Sequence, residues 1–185
     1  FADRGMYIAD PDFISLPLGI LSKTYLNERS QLINNKHTSK IVKAGKPPSP
    51  ITYHFKQGKS PEQDSTTHFV IVDKEGNIVS MTSTIENGFG SRLMVNGFLL
   101  NNELTDFSFS PTKNGLAIAN RVEAGKRPRS SMAPTIVFKD KAPYLAIGSP
   151  GGSRIINYVT NSLIALLDWN YPLQDALDMP HIVNR

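Results

Sequence analysis

The stretch TTHFVIVDKEGNIVSMTST, residues 66–84, decides how this chain is read. Phe69–Val72 and Ile78–Met81 are runs of β-branched and aromatic side chains, and Lys74-Glu75-Gly76 between them is turn chemistry, so residues 67–84 read as a β-hairpin. If Asp73 pairs with Asn77 across a three-residue loop, Thr84 lies directly opposite Thr66 and both side chains share one face. A two-residue loop would move the register by one position and turn the two threonines to opposite faces. Whether two hydroxyls stand side by side therefore rests on one loop length.

Upstream of the hairpin the character changes at Gln63, Asp64 and Ser65. Before them, Lys36, Lys40, Lys43, Lys46, Lys56 and Lys59 share a stretch with Pro47, Pro48, Pro50, Gly45 and Gly58 that has no acidic residue between Lys36 and Pro61. This local excess accounts for the net charge of +4 and is linker chemistry, not a groove that follows phosphates, so no nucleic-acid partner is expected. Residues 10–35 read as helix, with Pro11 and Pro17 in first-turn positions and Leu18, Leu21, Tyr25, Leu32 and Ile33 along one apolar face that would dock on something.

Downstream, Gly97–Asn101 reads as a short strand, and Ala133–Phe138 with Tyr144–Ile147 as a second hairpin around Lys139-Asp140-Lys141. Gly148-Ser149-Pro150-Gly151-Gly152-Ser153 then leads into a helix from about Arg154 to Trp169, with Ile156, Val159, Leu163, Leu166 and Leu167 at helical spacing. Asn170-Tyr171-Pro172 ends it, Trp169 and Tyr171 are expected as core caps, and Leu173–Met179 starts a last short helix. Strands in two groups with helices before and after predict an α+β layered fold instead of a parallel βαβ series.

At 185 residues, with 39% hydrophobic and 19% charged side chains, the chain can support a packed core. It begins at Phe1, shows no secretion signal of its own and no apolar run long enough to span a bilayer, and reads as a piece of something longer. Zero cysteines exclude disulfides, thiol nucleophiles and cysteine-ligated zinc. His37, His54, His68 and His181 lack metal-ligand spacing and read as solvent, linker or hydrogen-bonded positions, so no metal is expected.

Thr66-Thr67-His68-Phe69 with Val72-Asp73 and Gly76-Asn77 resembles the start of the small subunit of gamma-glutamyltranspeptidases, members of the N-terminal nucleophile hydrolases. The resemblance continues through Thr84, Phe89-Gly90-Ser91, Leu99–Glu103, Asp106-Phe107, Lys126-Arg127-Pro128, Ser130-Ser131-Met132 and Gly148 through Arg154. Several rare words in the right order over about two-thirds of the chain make a specific pattern. It implies a partial αββα sandwich of antiparallel sheets flanked by helices. Residues 1–65 would be the C-terminal tail of the large subunit, carrying the basic linker, and residues 66–185 the small-subunit catalytic domain, truncated at its C-terminus.

The resemblance further implies self-cleavage between Ser65 and Thr66. The new α-amine of Thr66, titrating at about 7.7–8.0, can then take the proton from the hydroxyl beside it. Thr66 is the implied nucleophile, Thr84 the residue that orients it, and Gly151 and Gly152 the donors to the oxyanion. Glu103 and Asp106 would hold the α-amine of a gamma-glutamyl group, and Ser130 and Ser131 its α-carboxylate.

One departure is Glu86, where many family members have Asn; three acids near one ammonium favour an amine and repel an extra carboxylate. The implied donor is glutathione or a related compound and the acceptor water, an amino acid or a peptide, with no cofactor. A gamma-polyglutamate hydrolase or transpeptidase, or a beta-lactam-type acylase, is the alternative within the superfamily, and a non-catalytic interaction fragment the alternative outside it. The family's large subunit supplies an arginine for the α-carboxylate, so the remainder of that subunit is an implied partner and the fragment alone is expected to be inactive. Periplasmic or secreted placement follows from the family.

Overall fold

The structure is a computed structural model that describes residues 1–60 and 65–183. In chain order its elements begin with α1 (Ala2–Tyr7), α2 (Lys23–Ser30), β1 (Phe55–Lys56), β2 (Thr66–Val72) and β3 (Ile78–Thr84). They continue with β4 (Met94–Val95), β5 (Phe98–Leu99), β6 (Thr112–Lys113), β7 (Leu116–Ile118), β8 (Thr135–Lys139), β9 (Ala142–Ile147), α3 (Ile155–Leu167) and α4 (Leu173–Asp178). Helices with small, mostly antiparallel sheets make an α+β fold, as expected.

The chain divides into two compact units, one from residues 1–60 and 104–129, the other from residues 65–103 and 130–183. In the first, β1, β7 and β6 form a three-stranded sheet, with β1 parallel to β7 and β7 antiparallel to β6. Ala9, Ile14 and Ala119 pack with Phe55 to make its core, and Phe107 and Ile118 are fully buried. The basic stretch is partly tied down here. The carboxylate of Asp3 accepts from the Gly45 N–H at 2.7 Å and from the Tyr25 hydroxyl at 3.0 Å, and the Tyr7 hydroxyl donates to the Gly45 carbonyl at 2.7 Å. Burial and the Asp3 bond push the Tyr25 hydroxyl up to about 12.

The expected helix over residues 10–35 is not continuous. Its helical part is a 3₁₀ turn at Leu18–Leu21 followed by α2, whose N-cap Ser22 accepts from the Tyr25 N–H at 3.3 Å. Pro17 is extended (ψ 111°) and has no N–H to give, while the Asp10 carboxylate binds the Asp12 N–H at 3.1 Å, which starts a turn in place of a helix. Of the predicted apolar face only Tyr25 is buried; Leu18, Leu21, Leu32 and Ile33 are exposed.

In the second unit β2 pairs with β3, β4 with β5, and β8 with β9, each antiparallel. Ile147 at the end of β9 packs with Ile155 and Val159 of α3, and Ala133, Leu163 and Leu166 join them. Helix α3 buries Ile155, Val159, Ser162 and Ala165; of the predicted stripe Val159 is buried, Leu163 and Leu166 pack against the core, and Leu167 is exposed. The helix ends where Asn170 adopts φ +54° and the Tyr171 N–H reaches back to the Ala165 carbonyl at 2.9 Å. The Trp169 and Tyr171 rings meet at a tilt of 53° with centroids 5.9 Å apart and are about half exposed, so they do not cap a core.

Candidate active site

The hairpin has the three-residue loop. The Asp73 N–H donates to the Asn77 carbonyl at 3.0 Å, the Asp73 carboxylate holds the Asn77 backbone and side-chain N–H groups at 2.8 and 2.7 Å, and Gly76 takes φ +85°. A β-turn residue at that angle favours glycine because it has no Cβ. The register follows from the turn: Val72 faces Ile78, His68 faces Thr82, and Thr66 faces Thr84. Thr66, His68, Ser80, Thr82 and Thr84 are all half-buried, in step with their sharing one face.

At the open end of the hairpin the Thr84 hydroxyl donates to the Ser65 carbonyl at 2.6 Å, and its oxygen accepts from the Glu86 N–H at 2.9 Å. A donor this close withdraws electron density from the carbonyl carbon of the bond between Ser65 and Thr66. The N–H of Glu86 strengthens that donor by polarising the same hydroxyl. Thr84 thus touches the carbonyl next to Thr66.

Glu86 is only 3% exposed and sits at φ +68°, a region that long side chains rarely adopt. The Asn102 side-chain amide donates to Glu86 Oε2, while Oε1 has no partner among the described residues. Asn102 also accepts from the Asn87 N–H at 2.9 Å and donates its own N–H to the Ile85 carbonyl at 3.2 Å, which pins the loop after β3 to the segment before Glu103. The Glu103 N–H in turn is held by Asn101 at 3.0 Å. A carboxylate with one free oxygen in such a frame is suited to a cation or an N–H donor.

The remaining predicted residues are placed as follows. Ser130 and Ser131 belong to the same unit; Ser130 Oγ accepts from the Met132 N–H at 3.1 Å, and Ser131 is buried. Asp106 belongs to the other unit, where its backbone carbonyl accepts from Asn120 at 2.8 Å. Gly151 and Gly152 take φ +129° and +55° and open a 3₁₀ turn, Gly152–Arg154, that leads into α3. Neither of their N–H groups bonds to a backbone carbonyl among the described residues.

Sequence reasoning read His68 only as a solvent, linker or hydrogen-bonded position and passed over Tyr158. His68 Nδ1 lies 2.8 Å from Thr82 Oγ1, and burial lowers the pKa of the ring. A Cβ on Gly148 would fall 2.1 Å from the ring's Cε1, and a Cβ on Gly151 would fall 2.7 Å from the Tyr158 ring, so the glycine loop lies directly against both rings. The alternation of Thr66 and His68 on one face was the available signal; nothing local marked Gly148 as the partner. Among the described residues no cluster of His, Asp and Glu could hold a metal ion, and no helix is long and apolar enough to cross a membrane.

The family model described as gamma-glutamyltranspeptidase matches residues 1–185. A glutathione hydrolase proenzyme of Bacillus subtilis (strain 168) is 43% identical over 190 residues, covering 98% of this chain and 32% of the relative, so the chain spans about a third of the length of the curated relatives it matches. The structure of a gamma-glutamyltranspeptidase from Pseudomonas nitroreducens complexed with L-DON is 42% identical, covers 64% of this chain and 65% of that one, and superposes with a TM-score of 0.56. A cephalosporin acylase from Bacillus halodurans, 25% identical, covers 98% of this chain and 30% of its own with a TM-score of 0.73.

Proposed function

The chain belongs to the gamma-glutamyltranspeptidase family, and from that premise we propose that its parent is an autoprocessing gamma-glutamyl transferase and hydrolase acting on glutathione and related compounds. The observation that carries this reading is the hydroxyl of Thr84 on the carbonyl of Ser65, across the strand pair from Thr66. The Thr66 hydroxyl attacks that carbonyl carbon and the C–N bond breaks, leaving Ser65 esterified to the Thr66 oxygen and the Thr66 nitrogen as a free amine. Water hydrolyses the ester, releasing the Ser65 carboxylate and restoring the hydroxyl.

In the cleaved enzyme the Thr84 hydroxyl, relieved of the Ser65 carbonyl, turns to the Thr66 oxygen and orients it. The Thr66 amine accepts the hydroxyl proton as the oxygen attacks the gamma-carbonyl of the donor, and that proton leaves with the departing amine. Water or an acceptor amine then breaks the acyl ester. The N–H groups of Gly151 and Gly152 receive the oxyanion in both halves. Glu103 and Asp106 hold the donor's ammonium and Ser130 with Ser131 its carboxylate; the remainder of the large subunit completes the site. The parent is placed in the periplasm or outside the cell, in keeping with the family.

The buried, half-satisfied carboxylate of Glu86 favours a second reading of donor preference within this chemistry, toward acylase-type substrates and away from gamma-polyglutamate, whose extra carboxylates it would repel. Glu86→Asn in the full-length parent is expected to change relative rates among donors more than the rate with the best one, since asparagine also tolerates the left-handed backbone. Identical donor profiles would remove Glu86 from recognition.

The main test is mass spectrometry of the full-length parent and its Thr66→Ala variant. Two pieces, one beginning at Thr66, with gamma-glutamyl release roughly a thousandfold or more above the variant, are expected. An intact, folded parent would support the interaction fragment instead, and full release by the variant would end the assignment.

A further inference from the structure

We propose that His68 is a positioning residue whose ring, held between Thr82 and Gly148, sets the glycine loop in register with the strand that carries Thr66. The proposal rests on the enzymatic reading above. His68 stands two residues beyond Thr66 on the same face of β2, and its Nδ1 is tied to the hydroxyl of Thr82 directly opposite, so the ring cannot turn without breaking that bond. Against the ring lies Gly148, with room for no side chain at all. One residue earlier, the Ile147 carbonyl accepts from Ser80 of β3 at 3.4 Å, so the hairpin holds the loop at two adjacent points.

The far end of the loop is braced in the same manner. The Tyr158 ring lies against Gly151 and is itself stacked on His181 at 4.1 Å with a 20° interplanar angle. The N–H groups of Gly151 and Gly152 lie at this second contact and one residue past it. The first brace shares a strand with the nucleophile, so the spacing from oxygen to oxyanion donors passes through His68.

The chemistry of the ring supports shape as its purpose. His68 is anchored through Nδ1 alone: Nε2 is buried and has no partner among the described residues, so the far edge of the ring meets its surroundings by packing. A flat ring of fixed thickness against a residue without a side chain makes a stiff spacer. A displacement of about 1 Å in such a frame costs on the order of a hundredfold in rate, and oxyanion donors act on the transition state more than on the bound substrate.

The test uses the full-length parent with His68→Ala, His68→Asn, Gly148→Ala and the double variant His68→Ala/Gly148→Ala. His68→Ala and Gly148→Ala are each expected to lower kcat by about a hundredfold while KM for the gamma-glutamyl donor moves less than about threefold. His68→Asn, which can still meet Thr82, recovers at least about tenfold over His68→Ala. In the double variant the added methyl enters the space the ring has left, so the second change costs little beyond the first.

Losses that multiply in the double variant, a rise in KM with kcat intact, or no recovery by asparagine would each overturn the proposal. Should a single variant fail to fold, the double variant against wild type still decides, because a shared spacer role predicts a loss of about a hundredfold in kcat and independent roles a loss of about ten thousandfold. A wild-type parent that neither exposes Thr66 nor turns over a donor defeats the enzymatic reading and this proposal with it. A wild type that turns over normally beside unimpaired His68 variants defeats only this one.

Discussion

The unit of residues 1–60 and 104–129 and the β2–β3 hairpin bury their side chains in opposite ways. The first takes charges inside. Asp10 is buried and receives Arg127 through its backbone N–H at 2.8 Å and its guanidinium at 2.7 and 3.1 Å, and Lys126 Nζ is enclosed by the Ala119 carbonyl, Glu123 and the Phe13 ring. The hairpin covers its polar face and leaves the apolar one open, with Phe69, Ile71, Val79 and Met81 between 39% and 57% exposed. A bare apolar sheet face beside a covered polar one is the signature of a layer that more chain must complete. The first unit, by contrast, is tied together by residues from both sides of the Ser65–Thr66 bond, so under the proposed cleavage its contacts would help to keep the two pieces joined.

The sharpest way to break this contrast is a charge on the open face. Ile71→Asp in the full-length parent is expected to cost about 3 kcal/mol, because the carboxylate would be buried without a partner. In the isolated chain the same change should stay within about 0.5 kcal/mol. Chemical denaturation of both proteins would show it; equal small effects would mean the face is open in the parent as well.

The second test concerns the join. Bonds from Arg127 hold the Asp10 carboxyl well below the usual carboxylate range. Its folded value is depressed, so the stabilisation is complete above the unfolded value of about 3.9 and is lost as pH falls through the folded one. Arg127 is two-thirds exposed, so water and salt screen the pair. In the cleaved parent, Asp10→Asn should lower the denaturant concentration at which the two pieces separate at neutral pH, and should flatten the loss of association below about pH 4. Size-exclusion chromatography across pH reads both, and an unaltered profile would remove Asp10 from the join.

The smallest effect belongs to the turn that sets the register. Gly76 is at φ +85° with open space around it, so Gly76→Ala meets only backbone strain and should cost about 1 kcal/mol without a change of fold. A denaturant midpoint that does not move would mean that the turn relaxes freely and that the register has other support.

The hairpin and its register, the glycine loop ahead of α3, and the end of that helix at Asn170 were all legible in the residues, because each is written in spacings of a few positions. The broken helix over residues 10–35 was not. Its apolar spacing was helical, yet Pro17 and the engagement of Asp10 by Arg127, 117 positions away, outweighed it. The parallel pairing of Phe55–Lys56 with Ala117–Ile118 had no local mark for the same reason.

The amino-acid order thus determined the hairpin and narrowed the threonine pair to one loop length, since a strand's period of two places Thr84 across from Thr66 once the loop has three residues. That the hydroxyl of Thr84 meets the Ser65 carbonyl, that His68 rests on Gly148, and that Asp10 meets Arg127 were decided only when distant segments packed. Periodicity records which face a side chain takes, whereas its partner depends on which other segment the folded chain brings to that face.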